Sequence, residues 1–158
     1  MSNDDPIAFF LTWVTYGTWL PGDERGWVEY MHGWKLPSPT LEANCESRMR
    51  DDAVRLNLVQ RRTVEQQVRE TCRYRGWHLH AVNCRSNHIH TVVTAVDTPP
   101  KKVRVDLKAY ATRCLKPTDP SRSNWWAERG SIRWIFNEES LHAAITYVLE
   151  GQDKKPEA

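Results

Sequence analysis

Apolar and polar residues along the chain follow two periods in turn, and each period predicts one kind of secondary structure. Stretches rich in β-branched and aromatic residues predict strands, at 7–16, 77–83, 88–96 and 131–136. Apolar residues repeated at the helical period predict helices, at 53–75, at 102–116 and from Asn137 to about Glu150. Residues 28–50 have neither period, so we predict a long loop or insertion there.

The order of these elements is strand, helix, two strands, helix, strand and a final helix. A β-α-β-β-α-β run is the ferredoxin-like arrangement, in which two helices cover one face of an antiparallel sheet. We therefore predict one α+β domain spanning residues 1–158, with an extra C-terminal helix on the second face and a frayed tail at 153–158.

The composition of the 158 residues is ordinary for a globular protein, with 40% hydrophobic and 27% charged residues. The formal net charge is only +2, so an argument for nucleic-acid binding needs a local cluster of cations. The N-terminal residues do not resemble a signal sequence, and no apolar run reaches the ~20 residues of a membrane span. The four cysteines have no CxxC spacing, which favours reduced thiols, so we expect a cytoplasmic protein with no membrane partner.

Two His-x-His sequences lie ten residues apart, one in each strand of a predicted hairpin. Side chains alternate along a strand, so His88 and His90 share one face, as do His78 and His80. Two imidazoles on one face can bind the same divalent cation, but they can also be ordinary hydrogen-bonded residues, and the spacing does not choose. A two-residue turn would put the two pairs on opposite faces, whereas a three-residue loop would put all four on one face.

The second pair stands in "NHIHTVV" (87–93), which resembles the HUH motif of single-strand DNA transposases and rolling-circle nucleases. The first pair, in "WHLHA", does not fit that motif. The order and spacing of the elements from Phe9 to about Gln152 are similar to those of single-tyrosine insertion-sequence transposases and REP-associated tyrosine transposases. The stretches "TYGTWLPGDERGW" and "IRWIFNEESLHAAITYVLEGQ" also look like one subgroup of these proteins.

The resemblance implies that His88 and His90 bind Mg²⁺ or Mn²⁺ together with a third ligand. Members of this family often have a glutamine four residues after their tyrosine, but Gly151 occupies that position here. Gln152 comes one residue later and is the expected third ligand, with Glu150 as the competing one.

Two tyrosines lie on predicted helices after the motif. Tyr110 falls in the apolar stripe of Val103, Leu107 and Cys114, which predicts that it faces the core. At ~100° per residue, Tyr147 lies roughly 130° from the centre of the apolar stripe of the last helix. This position is also compatible with an ordinary surface tyrosine. The resemblance implies that Tyr147, on the helix after the final strand, is the nucleophile.

A local cluster of cations lies on and beside the helix predicted at 102–116. Such a cluster suits the DNA backbone, although a solvated helix face is equally compatible with it. The adjacent pair Trp125 and Trp126 follows, and an exposed tryptophan can stack on an unpaired base. The predicted DNA-binding residues are Lys101, Lys102, Arg104, Lys108, Arg113 and Trp125.

The resemblance implies a nucleoid-associated, metal-dependent endonuclease and strand transferase that acts near DNA hairpins through a 5′-phosphotyrosine intermediate. It is compatible with a monomer or a homodimer. A rolling-circle replication initiator would use the same chemistry, whereas relaxases fit less well because their nucleophile usually precedes the histidines. The alternative from another class is a non-catalytic binder of single-stranded or hairpin nucleic acid, which the altered spacing of Gln152 favours.

Overall fold

Four strands form one antiparallel sheet in the computed structural model of the chain, which describes residues 5–18, 27–29, 33–49 and 51–150. The sheet order is β4-β5-β1-β6, and each neighbouring pair is antiparallel. This is the ferredoxin-like order, so the predicted α+β fold is confirmed. The elements are β1 Ala8–Thr15, β2 Trp27–Glu29, β3 Gly33–Lys35, α1 Pro39–Ser47, α2 Leu58–Arg75, β4 His78–Cys84, β5 His88–Thr94, α3 Pro100–Leu115, a 3₁₀ turn Lys116–Thr118, β6 Trp126–Ile135 and α4 Glu138–Leu149.

Strand β1 is an inner strand that separates two hydrophobic cores. Its sequence AFFLTWVT is apolar on both faces, as a strand covered on both sides requires. Phe9, Leu11 and Trp13 belong to the larger core under α2 and α3, whereas Ala8 and Phe10 belong to a smaller core under α4. The sheet is therefore the middle layer of three.

Helix α4 packs on the face that α2 and α3 leave, over β4 and β5. Leu141 and Val148 of α4 are buried in the smaller core together with Val92 of β5. Asn137 caps the helix, since its side chain accepts a hydrogen bond from the Ser140 amide at 2.8 Å. The predicted start and position of the last helix are confirmed.

The start of α2 differs from the prediction. The helix begins at Leu58 and not at 53, because the amides of Val54 and Leu56 donate to the carbonyls of Tyr16 and Ser86. These bonds hold the segment before the helix extended against the ends of β1 and β5. Sequence period alone does not reveal such tertiary hydrogen bonds.

The end of α2 follows the prediction. Gly76 stands at the C-cap with a positive φ of 74°, a conformation that favours glycine and stops the helix. At the other end, Asn57 and Gln60 form a reciprocal capping box with bonds of 2.8 and 2.9 Å.

The predicted loop at 28–50 contains regular structure. Strands β2 and β3 pair with each other, and α1 begins after Ser38, whose hydroxyl accepts from the Leu41 amide. Helix α1 buries no side chain, so it has no apolar stripe from which a helix could be predicted. The predicted frayed tail at 153–158 lies outside the described residues.

Within the described part of the chain, no helix combines the length and the apolar character that crossing a membrane requires.

Two glycines provide a test of the sheet. At Gly130 of β6, an added Cβ would lie 2.2 Å from the carbonyl oxygen of Thr12, so Gly130→Ala must push β6 away from β1. At Gly76 an added Cβ would meet nothing within 4 Å. Gly76→Ala should therefore lower the free energy of unfolding only through the strain of a positive φ, by about 1 kcal/mol. We expect urea denaturation to show a larger loss of unfolding free energy for Gly130→Ala, about 3 kcal/mol. Equal losses would contradict the close approach of β6 to β1.

Candidate active site

His88 and His90 lie on the face of the sheet that carries α4. Thr12 of β1 pairs with His90, and Val14 pairs with His88. Opposed residues of an antiparallel pair point to the same face, and Phe10, two residues before Thr12, belongs to the α4 core. The two histidines share one face, as predicted, and it is the face that α2 and α3 leave uncovered.

Hydrogen bonds fix how both imidazole rings are turned. Nδ1 of His88 lies 2.7 Å from Oδ1 of Asn87, and because an amide oxygen only accepts, Nδ1 donates. Nδ1 of His90 lies 2.7 Å from Oγ1 of Thr12, and the two ring centroids are 4.8 Å apart. Since both Nδ1 atoms are held by the protein, each ring would bind a cation through Nε2.

Tyr147 of α4 lies against the same histidine pair. Its ring centroid is 5.6 Å from that of His90 and 5.9 Å from that of Phe10. The tyrosine is 44% exposed, so its phenol can be reached from solvent. The tyrosine lies outside the apolar stripe of α4, as predicted, and this position places it beside the histidines.

The side chain of Asn83 links the end of α4 to the sheet beside His90. Asn83 of β4 pairs with His90, and its Nδ2 donates to the carbonyl of Val148 at 2.8 Å. The last carbonyls of a helix have no partner within the helix, so this bond stabilises the helix end. It also sets the position of Tyr147, the residue before Val148, relative to the sheet.

Thr12 and Asn83 were not identified from the sequence. Each is a polar residue in an otherwise mostly apolar strand, in "FFLTWV" and "AVNC", and that signal could have selected them. Their partners could not be predicted, because each partner depends on strand register or on the docking of α4.

No acidic, thiol or further imidazole side chain of the described residues provides a third cation ligand. No group of three or more His, Cys, Asp or Glu side chains there is arranged to hold a metal ion. Glu150 is the exposed C-cap of α4 and is not grouped with the histidines, and Gln152 lies outside the described residues. His88 and His90 fit a hard divalent cation as two ligands that need further oxygen ligands beside them.

A β-bulge turns the first histidine pair to the same face as the second. Cys84 pairs with Ile89, a register that differs from both registers predicted for the hairpin. This register alone would turn His78 and His80 to the opposite face. The ladder shifts around His80, however, and the extra residue reverses the side to which the start of β4 points.

The first pair has its own partners and lies away from the tyrosine. Nε2 of His80 is 2.7 Å from Oγ1 of Thr94, whose hydroxyl donates to the carbonyl of Ile7. Burial and the neighbouring His78 lower the pKa of His80, while Glu138 acts in the opposite direction. Thr94 is four positions along β5 from the second pair, about 13 Å at 3.3 Å per residue.

Tyr110 lies on α3, behind the sheet as seen from the histidines. The prediction that it is buried was wrong: it is partly buried, and the Arg113 guanidinium lies 5.0 Å from its ring centroid. The buried stripe of α3 runs instead through Leu107, Ala111 and Leu115, at intervals of four residues. The sheet therefore separates Tyr110 from the candidate site.

The cations predicted to bind DNA also lie on α3. Lys102 forms an ion pair with Asp106 at 2.9 Å, and Lys108 donates to the carbonyl of Ala127 at 2.9 Å. Burial lowers the pKa of Lys108 and of Arg104. The exposed members of the cluster are Lys101, Lys102 and Arg113.

The structure contradicts a stacking role for Trp125. Its side chain is 3% exposed and belongs to the larger core. Trp126 is partly buried, and its Nε1 donates to Oγ1 of Thr112 at 2.9 Å. Both indoles therefore make contacts within the protein. The sequence could not show this, because it gives only that the two residues are adjacent.

The chain has the fold of the tyrosine transposases. The structure of a REP-associated tyrosine transposase bound to a REP hairpin is similar to it, with a TM-score of 0.58 and 14% identity over 98% of this chain and 71% of that one. A presumed transposase of Deinococcus radiodurans R1 shares 16% identity, with a TM-score of 0.48 over 93% of this chain and 91% of that one. No family model and no curated protein matches the chain in sequence.

We expect Asn83→Ala to loosen the last turn of α4, because the Val148 carbonyl loses its partner. The free energy of unfolding should fall by about 1 kcal/mol, and hydrogen exchange of the amides of Val148 and Glu150 should accelerate. Asn44→Ala, at an exposed position of α1, is the control and should change neither. Unaltered exchange in Asn83→Ala would show that this bond does not hold the helix end.

Proposed function

We propose that the chain is a metal-dependent, transposase-like endonuclease and strand transferase for single-stranded DNA, with Tyr147 as the nucleophile. One observation carries the proposal: the Tyr147 ring lies 5.6 Å from that of His90, on the sheet face that also carries His88. The transposase fold of the chain supports it.

The proposed reaction takes place at one DNA phosphate. The phenol oxygen of Tyr147 loses its proton and attacks phosphorus, which forms a bond between the tyrosine and the 5′-phosphate. The bond from phosphorus to the 3′-oxygen breaks, and that oxygen takes up a proton to become a 3′-hydroxyl. Since one phosphodiester replaces another, attack by a different 3′-hydroxyl can reverse the step and join a strand without ATP.

A bound Mg²⁺ or Mn²⁺ would supply Lewis-acid polarisation of the phosphate oxygens. His88 and His90 would hold it through Nε2, while Asn87 and Thr12 keep the two rings turned for this purpose. We expect weak binding by the two imidazoles alone, and tighter binding when DNA phosphate adds oxygen ligands. Gln152 stays the proposed protein ligand for a third position.

The proposed partner is single-stranded DNA next to a short hairpin, because the REP-associated neighbour was solved with a REP hairpin. The exposed cations of α3 would contact the hairpin backbone, and binding would weaken strongly with salt. Such a partner fits a nucleoid-associated, cytoplasmic location. These cations are Lys101, Lys102 and Arg113.

A non-catalytic DNA binder is the second candidate. One observation favours it, namely that no Asp, Glu, Cys or further His of the described residues forms a metal-holding group with the histidine pair. Such a protein would still bind hairpin DNA through α3, but Tyr147 and divalent cations would not matter to it.

We expect Tyr147→Phe to abolish the covalent protein–DNA adduct while folding and DNA binding stay unchanged, because the substitution removes only the hydroxyl. The measurement is a denaturing gel after incubation with Mn²⁺ and labelled, hairpin-containing single-stranded oligonucleotides. Tyr110→Phe, on the other side of the sheet, is the matched control and should form the adduct at the wild-type rate.

An adduct that persists in Tyr147→Phe would refute the assignment of the nucleophile. If the wild type forms no adduct on any hairpin-containing substrate, the non-catalytic binder becomes the better explanation.

We expect Thr12→Val to weaken Mn²⁺ binding in the presence of DNA, because Nδ1 of His90 loses the hydroxyl that orients the ring. Loss of such a partner lowers metal affinity by about ten- to a hundredfold. Thr12→Ser keeps a hydroxyl and should retain most of the affinity. An electron paramagnetic resonance titration with Mn²⁺ measures this independently of DNA cleavage.

Thr94→Val is the matched control, because Thr94 makes the same 2.7 Å contact with His80. It should leave Mn²⁺ affinity unchanged, and His80→Ala should spare the cleavage that His90→Ala abolishes. The reverse ranking would place the cation at the first histidine pair.

A further inference from the structure

Arg133 of β6 lies on the part of the site face that α4 leaves open. Helix α4 packs over β4 and β5, whereas β6 is the edge strand beside β1. Arg133 of β6 pairs with Phe10, so both side chains are on the same face, and the Phe10 ring is 5.9 Å from that of Tyr147. Arg133 is exposed, and no carboxylate of the described residues forms an ion pair with it.

Several small or uncharged residues stand near the arginine on β6 and before the tyrosine on α4. Ser131 and Ile135 flank the arginine on the same face of β6. The flank of α4 that bears the tyrosine has Ser140, Ala143 and Ala144 at the positions seven, four and three residues before it. Small residues on α4 and the cation Arg133 on β6 would suit the passage of a negatively charged strand between the two elements.

We propose that Arg133 binds a phosphate of the single strand adjacent to the one that Tyr147 attacks, so that the strand runs between α4 and β6. This inference rests on the proposed function and adds to it the position of the DNA. A guanidinium can donate two parallel hydrogen bonds to one phosphate. The cations of α3 cannot serve this phosphate, because the sheet lies between them and the tyrosine.

The test compares Arg133→Gln, Arg133→Lys and a control, Arg69→Gln, which removes an exposed arginine from α2 on the other side of the sheet. The probe is a single-stranded oligonucleotide with a short hairpin and an unpaired flank, in the presence of Mn²⁺. We expect Arg133→Gln to lower the rate of adduct formation about tenfold or more. It should also reduce the slope of log affinity against log salt by about one.

Arg133→Lys should recover the slope but only part of the rate, because it keeps the charge and loses the planar fork. Arg69→Gln should match the wild type, and all variants should melt at the wild-type temperature. Equal rates and slopes for Arg133→Gln and Arg69→Gln would overturn the inference. If the wild type binds DNA without forming an adduct, the proposed function fails, while the salt slopes still decide for or against Arg133.

Discussion

The pairing of β1 with β5 is the contact on which the candidate site depends. Trp13 and Ile89 are opposite each other in this ladder, and both are fully buried in the larger core. A slip of one residue would turn them out of that core and turn His88 and His90 into it. Burial of large apolar side chains on one face therefore determines that the two imidazoles point to the other face.

The position of the tyrosine depends on the same register. Helix α4 docks through Leu141 and Val148 on the face that carries Val92 of β5, and the Asn83 side chain then holds its last turn. Tyr147 is consequently placed by packing on one side and by a hydrogen bond from the neighbouring strand. Histidines and tyrosine far apart in the chain meet because one sheet positions both.

Periodicity was sufficient to predict the order of strands and helices along the chain, the shared face of His88 and His90, and the side of α4 on which Tyr147 lies. These features follow from which residues are apolar and how far apart they are. The same reasoning misplaced Tyr110, because the stripe of α3 drifts towards Ala111 and Leu115 and away from Cys114. Small residues such as alanine give a weak apolar signal, although they pack well where a helix approaches closely.

Tertiary hydrogen bonds and the irregularities of strand pairing could not be predicted from the sequence. The bulge at His80 reverses one end of β4, and no residue type there announces it. The burial of Trp125 likewise depends on where β6 begins. Strand β6 begins where Trp126 pairs with Thr15, after a shift of register between Trp13 and Thr15. The bond from Thr12 to His90 depends on the alignment of two strands 78 residues apart in sequence.

If the tyrosine and the cation meet on one face of the sheet, paramagnetic Mn²⁺ should broaden the resonances of Tyr147 before those of Tyr110, because the effect falls steeply with distance. The measurement uses protein with isotope-labelled tyrosine rings, bound to hairpin-containing single-stranded DNA, with Tyr147→Phe for assignment. We predict that the Tyr147 signal disappears at the lowest Mn²⁺ concentration and that His90→Ala restores it. Earlier loss of the Tyr110 signal, or broadening that His90→Ala does not alter, would contradict a shared site.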